Sequence, residues 1–188
     1  MKKIKIGIDF DKVLVDYPPV VPSALIEYLY KRRNRNLSYR FPGKLEQKIR
    51  IASHTPFLRP PIKTNIESLK KINEKQNCTI YLVSSRFSFL RNKTEIWKKK
   101  NNIEELFEKM YFNFNNRQPH IFKDEIIKKE GIEKFVDDDL DLLIFLAGHN
   151  PKVEFYWLTS DGIRKRLPSN IFKVKNLEEF RVKYLQDA

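Results

Sequence analysis

Three short apolar runs in this chain each give way to a cluster of acids or hydroxyls, and helical patterns fill the gaps between them. The first run alternates Ile4, Ile6, Ile8 and Phe10, the period-two pattern of a β-strand, and carries Asp9 and Asp11 where it ends. The second, Cys78–Val83, is β-branched and aromatic and empties into Ser84-Ser85-Arg86. The third, Ile132–Val136, leads into Asp137-Asp138-Asp139. Ahead of the third, Lys123 opens a helical stretch that stops at Gly131, a glycine suited to a helix C-cap.

The same reading extends to the whole chain. Strands are predicted over residues 3–10, 79–84, 110–114, 134–137, 153–158 and 171–174. Helices are predicted over 62–74, 93–99, 103–108, 123–129, 140–147 and 177–184. Strands separated by helices imply βαβ units, and right-handed crossovers then give an α/β, doubly wound parallel sheet of Rossmann-like form. Between Asp16 and Pro60 the pattern changes. Two helices, Val20–Lys31 and Leu45–Ala52, flank a polar, basic stretch, and prolines punctuate both ends. The expected organisation is a core of residues 1–16 and 60–188, with residues 17–59 as a small helical cap inserted after the first strand.

In open α/β sheets, ligands sit outside the carboxyl ends of the strands. Topology therefore directs all these polar groups toward one edge. Two carboxylates two residues apart raise one another's pKa unless a cation relieves them. A divalent ion is the usual relief, and oxygen-only ligands favour Mg²⁺. Acids for a metal, with hydroxyls and a lysine for an anion, make a phosphate site.

The order Asp9-x-Asp11-x-Val13, then Ser84, then Lys123, then Asp137-Asp138 resembles the four motifs of the haloacid dehalogenase superfamily, over nearly the whole chain. The acid at the second position, Asp11, favours phosphatases over dehalogenases within that superfamily. The resemblance implies Asp9 as the nucleophile that becomes phosphorylated and Asp11 as the general acid and base. It implies Mg²⁺ held by Asp9, Asp11 through its backbone carbonyl, and Asp137 and Asp138. Ser84, Ser85 and Lys123 would bind the phosphoryl group. Arg86 and Lys12 are the residues expected nearer the substrate. Lys12 stands where the family often has glycine, and is expected to alter the loop. Asp139 is expected to cap the helix that follows it.

Composition narrows the setting. The 188 residues suffice for one good core and a small subdomain. No apolar run approaches the ~20 residues that cross a bilayer, and the N-terminus lacks a signal-peptide pattern, so no membrane partner and a cytoplasmic location are expected. The lone Cys78 permits no internal disulfide. The three histidines, His54, His120 and His149, show no metal-ligand spacing and are expected to stay outside catalysis. Net charge is +13, and residues 17–59 concentrate it, with nine basic residues against two acids.

Three functions follow in order. The first is hydrolysis of a small phosphorylated substrate, with a nucleoside monophosphate as leading case, because the short cap and compact core resemble the 5′-nucleotidase branch. The second is a polynucleotide end phosphatase. The run Ser85-Arg86, Arg91, Thr94, Trp97 is similar to that of polynucleotide phosphatase domains, and the charge suits a phosphate backbone. The third is a nucleic-acid-binding module on a catalytically idle core.

Overall fold

The computed structural model describes residues 3–17, 37–75, 77–160, 162 and 166–185. The predicted helix Val20–Lys31 lies outside them, and of the segment expected to form a cap the structure describes residue 17 and residues 37–59. Six parallel strands form one sheet: β1 (Ile4–Ile8), β2 (Cys78–Ser84), β3 (Lys109–Phe112), β4 (Lys134–Asp137), β5 (Glu154–Leu158) and β6 (Ile171–Val174). Their order is β3-β2-β1-β4-β5-β6. Among the described residues, six α-helices accompany them: α1 (Lys44–Ser53), α2 (Lys63–Glu74), α3 (Arg91–Asn101), α4 (Pro119–Glu130), α5 (Leu140–His149) and α6 (Leu177–Tyr184).

The period-two side chains of the strands explain why the sheet is covered on both sides. Ile6, Ile8, Ile80, Leu82, Val136 and Tyr156 face one way, into a core shared with α2, Trp97 of α3 and α6. Tyr81, Val83, Phe135 and Phe155 face the other way, against α4 and α5. This is the doubly wound α/β fold expected from the sequence. At Gly7 in β1 a Cβ would come within 2.4 Å of the Phe135 ring, so only glycine lets that ring lie flat on the strand.

Several boundaries differ from expectation. Residues 103–108 hold only a 3₁₀ turn, Glu104–Leu106. Ile103, Leu106 and Phe107 are buried, and that burial produced the helix-like spacing. Helix α4 begins at Pro119, four residues earlier than predicted, and ends at Gly131 with φ of +65°. Lys123 is therefore interior to the helix and 2% exposed, rather than a first-turn residue.

Strand order reverses at β1, where the chain crosses from the β2 side of the sheet to β4. Such a switch point opens a crevice between the loops that leave neighbouring strands. Asp9 follows β1, and Asp137 and Asp138 end β4. The fold thus places the acids of two distant segments side by side.

Candidate active site

Lys123 reaches up from α4 and donates to Asp9 Oδ1 and Asp137 Oδ2, both at 2.6 Å. One buried ammonium joins the ends of two adjacent strands. Asp137 spends its other oxygen accepting the Asp139 backbone N–H at 3.0 Å. Carboxylate oxygens of Asp9, Asp137 and Asp138 lie within 4.8 Å of one another. Three acids thus share one lysine.

That imbalance shows in their proton affinities. Burial first, then Asp137 and Asp11, pushes the Asp9 carboxyl up to about 7, against the pull of Lys123. Burial, with Asp137 and Asp9, raises Asp138 well above the usual carboxylate range. Burial works against charge on Lys123, but Asp137 and Asp9 outweigh it and hold the ammonium above the usual lysine value. A dry, crowded pocket thus works against the ionised form of Asp9. This donor set, oxygen ligands only and in excess of positive charge, could hold a divalent cation. Asp138 has the most available carboxylate of the pair from β4, since both Asp137 oxygens are engaged.

Asp11 points elsewhere. Arg86 donates to it through Nε and Nη2 at 2.8 and 2.7 Å, and through Nη1 to Thr94 Oγ1 at 3.1 Å. The guanidinium also lies 4.4 Å from the centre of the Phe10 ring. Burial would raise the Asp11 carboxyl, but Arg86, by charge and hydrogen bond and with Arg59 behind it, holds it far below the usual range. The Asp11 side chain stands outside the carboxylate trio.

The hydroxyls follow β2. Ser84 is 1% exposed and accepts the Arg86 N–H at 3.3 Å. Ser85 Oγ is buried with no hydrogen-bond partner among the described residues. Lys12 adopts φ of +62°, the left-handed region that explains glycine's frequency at this position in the family it resembles. Its ammonium pairs with Asp16 at 3.1 Å and lies over the Tyr17 ring, and it does not line the cavity. Lys12 thus props the loop from outside. Asp139 caps α5 as expected, accepting from Asp141 and Leu142 N–H groups at 3.1 and 3.3 Å.

A cavity of about 150 Å³ collects these groups: Asp9, Asp11, Ser84, Ser85, Arg86, Lys123, Asp137 and Asp138 all line it. Its remaining wall was not legible as a site in the sequence. Arg40, Arg50, His54 and Arg59 come from the inserted segment. His54 is 3% exposed, and burial, then Arg59 and Arg86, pushes it down to about 3. Its Nδ1 sits 2.6 Å from the Arg50 carbonyl oxygen, so that nitrogen carries the proton. Tyr39 donates to Asp139 Oδ2 at 2.8 Å, and its backbone exchanges hydrogen bonds of 3.0 and 3.2 Å with the Gln118 side chain. Trp97 donates its indole N–H to the Arg59 carbonyl at 2.7 Å. Arg91, grouped with Thr94 and Trp97 in the sequence, instead lies against Phe114. Among the described residues, no helix is long and apolar enough to cross a membrane.

No family model and no curated protein matches the chain. Solved structures do match by shape. An L-2-haloacid dehalogenase superposes with a TM-score of 0.63 at 12% identity, covering 96% of this chain and 97% of its own. A haloacid dehalogenase-like family hydrolase from Xanthomonas campestris gives 0.62 at 9% identity, covering 96% and 94%. A chain of the Pnkp1/Rnl/Hen1 RNA repair complex gives 0.53 at 15% identity, covering 83% of this chain and 42% of that one. At these identities the likeness is one of architecture: this chain has the fold of the haloacid dehalogenase-like hydrolases.

Proposed function

We propose that the chain is a Mg²⁺-dependent phosphomonoester hydrolase that works through a phosphorylated Asp9. The observation that carries this reading is the trio of Asp9, Asp137 and Asp138, with Lys123 the only cation paired to it among the described residues. Dehalogenases are among the proteins of similar fold, but the deficit of positive charge at this trio calls for a divalent ion, and a phosphoryl group is the substrate that uses one. When bound by Asp9 and Asp138, Mg²⁺ would neutralise charge on the transferring group and keep Asp9 ionised.

The protein's own groups supply the rest. Asp9 attacks phosphorus, forming an acyl phosphate as the bond to the leaving oxygen breaks. Lys123 holds the Asp9 carboxylate in line. Ser84 and Ser85 hydroxyls donate to phosphoryl oxygens, and each such donor is worth roughly 100-fold in rate. Asp11, ionised in its Arg86 fork, is suited to take the proton of the water that then attacks phosphorus and restores Asp9. Donating a proton to the leaving oxygen requires that the fork first release Asp11. The incoming phosphoryl group, which competes for the same guanidinium, provides that release; Asp11 then takes up a proton from solvent, gives it to the leaving oxygen, and is left ionised to accept one from the attacking water.

The substrate on this reading is a small phosphorylated compound. A nucleoside monophosphate is the leading case from the sequence. A polynucleotide end is the second reading, favoured by the Arg86–Thr94 contact in a segment similar to polynucleotide phosphatases and by the +13 charge.

The test is release of phosphate from a generic aryl phosphate with and without Mg²⁺, in the natural protein and in Asp9→Asn. Activity that needs the ion and falls roughly a thousandfold or more in the variant is expected. Metal-independent release, or an active Asp9→Asn protein, would sink the reading. Turnover of an end-phosphorylated oligonucleotide, declining steeply with salt and exceeding that of the mononucleotide, would select the second substrate class.

A further inference from the structure

The cations around this cavity are accounted for, with one exception. Lys123 holds Asp9 and Asp137, Arg86 holds Asp11, and Arg50 pairs with Glu46. Arg59 is 4% exposed and lines the same cavity, yet its Nε and Nη1 are buried with no hydrogen-bond partner among the described residues. The Tyr17 ring lies 5.0 Å from the guanidinium carbon, and the charge also reaches Asp11 and His54. A ring face partly offsets the charge but satisfies none of the N–H groups.

Burying a guanidinium with unmade hydrogen bonds is expensive, and proteins keep such a group where a ligand completes it. The position is also built. The Arg59 N–H donates to the Thr55 carbonyl at 3.0 Å, and its own carbonyl accepts the Trp97 indole at 2.7 Å. The side chain therefore leaves from a backbone fixed on both sides. On the phosphatase reading the transferring phosphoryl group already has Lys123, two serines and Arg86, which leaves the unmade hydrogen bonds of Arg59, in the same cavity, for another anion.

We propose that Arg59 receives a second anionic group on the substrate, a carboxylate or a second phosphoryl group, so that the physiological ligand is a short phosphomonoester with an anion at each end. The planar fork of an arginine suits either group. Arg59 lines the same cavity as Ser84, Ser85 and Lys123, so one short molecule can engage both ends. This inference rests on the phosphatase reading for its catalytic half and narrows its substrate class away from a simple nucleoside monophosphate.

The experiment compares glycerol phosphate, which has one anionic group, with phosphoglycerate and glycerol bisphosphate, which have two. Expected is a kcat/KM at least about tenfold higher for one or both two-anion compounds, shrinking toward equality with glycerol phosphate in Arg59→Gln. A preference confined to phosphoglycerate assigns the subsite to a carboxylate, and one confined to the bisphosphate assigns it to phosphate. Equal turnover of all three by the natural protein overturns the inference, as does a nucleoside monophosphate turned over faster than either two-anion compound. An Arg59→Gln protein that loses the same factor on every compound also overturns it, because Arg59 would then serve the transferring group. Should R59Q fail to fold, the ratio in the natural protein decides.

Calorimetry on metal-free natural protein separates this from the phosphatase reading. If no compound is hydrolysed, that reading falls. Phosphoglycerate or the bisphosphate binding about tenfold more tightly than glycerol phosphate would still support the subsite, and equal binding would refute it.

Discussion

Arg86 grips both oxygens of Asp11, at 2.8 and 2.7 Å, while its remaining Nη rests on Thr94. A lysine can supply the charge but not the planar fork. Arg86→Lys is expected to lower kcat/KM on an aryl phosphate by about tenfold or more, the scale of a lost charge-assisted hydrogen bond. The variant should also alter acid stability. A carboxyl held below its unfolded value adds stability that is complete above the unfolded pKa of about 4 and drains away as pH falls toward the folded one. Arg86→Lys should therefore lose more stability at pH 7 than at pH 3 in urea titrations. Equal losses at both pH values would show that the fork does not set the Asp11 proton affinity.

Metal binding should separate the two neighbouring acids of β4. Asp138→Asn removes an available ligand and is expected to weaken Mg²⁺ binding at least about tenfold with little change in melting temperature. Asp137→Asn leaves one acceptor oxygen for two donors, Lys123 and the Asp139 N–H, and should cost about 1–3 kcal/mol in unfolding free energy. Because burial raises Asp9 to about 7, ion binding near that pH should expel a proton. Calorimetry in buffers of different ionisation enthalpy measures that release. It should vanish in Asp9→Asn.

His54 makes the fold sensitive to mild acid. Burial keeps it neutral down to about 3, whereas the unfolded chain takes up the proton near pH 6.5. Between those values the unfolded state binds more protons, so stability falls with pH by up to about 1.4 kcal/mol per unit. His54→Gln should flatten the fall between pH 6 and pH 4 in urea titrations. An unchanged slope would mean that the imidazole gains its proton in the folded state.

Gly7→Ala tests the packing that holds β1 against β4. The added Cβ would meet the Phe135 ring at 2.4 Å, and overpacking of this kind costs about 1–3 kcal/mol. Trimming the obstruction with Phe135→Leu should restore part of the loss. If the double variant is no more stable than Gly7→Ala, the clash is not the cause.

Much of this molecule was readable before its coordinates. Strands β4 and β6 and helix α6 fall on their predicted residues, because each carries a strong apolar pattern between clear stops. The acids and serines at the strand ends converge because a parallel sheet sends every carboxyl end to one edge. Lys123 was found but placed in the first turn, although Pro119, a favoured first helical residue, marks the true start. The opposite wall stayed hidden. Arg59 and His54 reach the cavity only because the inserted segment folds back over it, and no local period records that return. The Arg59-Pro60-Pro61 sequence marks where the chain re-enters the core, but not where the arginine points.

The anchoring of Tyr39 bears on what can enter. Its hydroxyl is bonded to Asp139 and its backbone to Gln118, so one arm of the insertion is tied to the loop before α4 and to the loop between β4 and α5. Three hydrogen bonds thus clamp Tyr39 to the core at the rim of the cavity it lines. Whatever occupies that space must fit beside a wall whose spacing the core itself dictates.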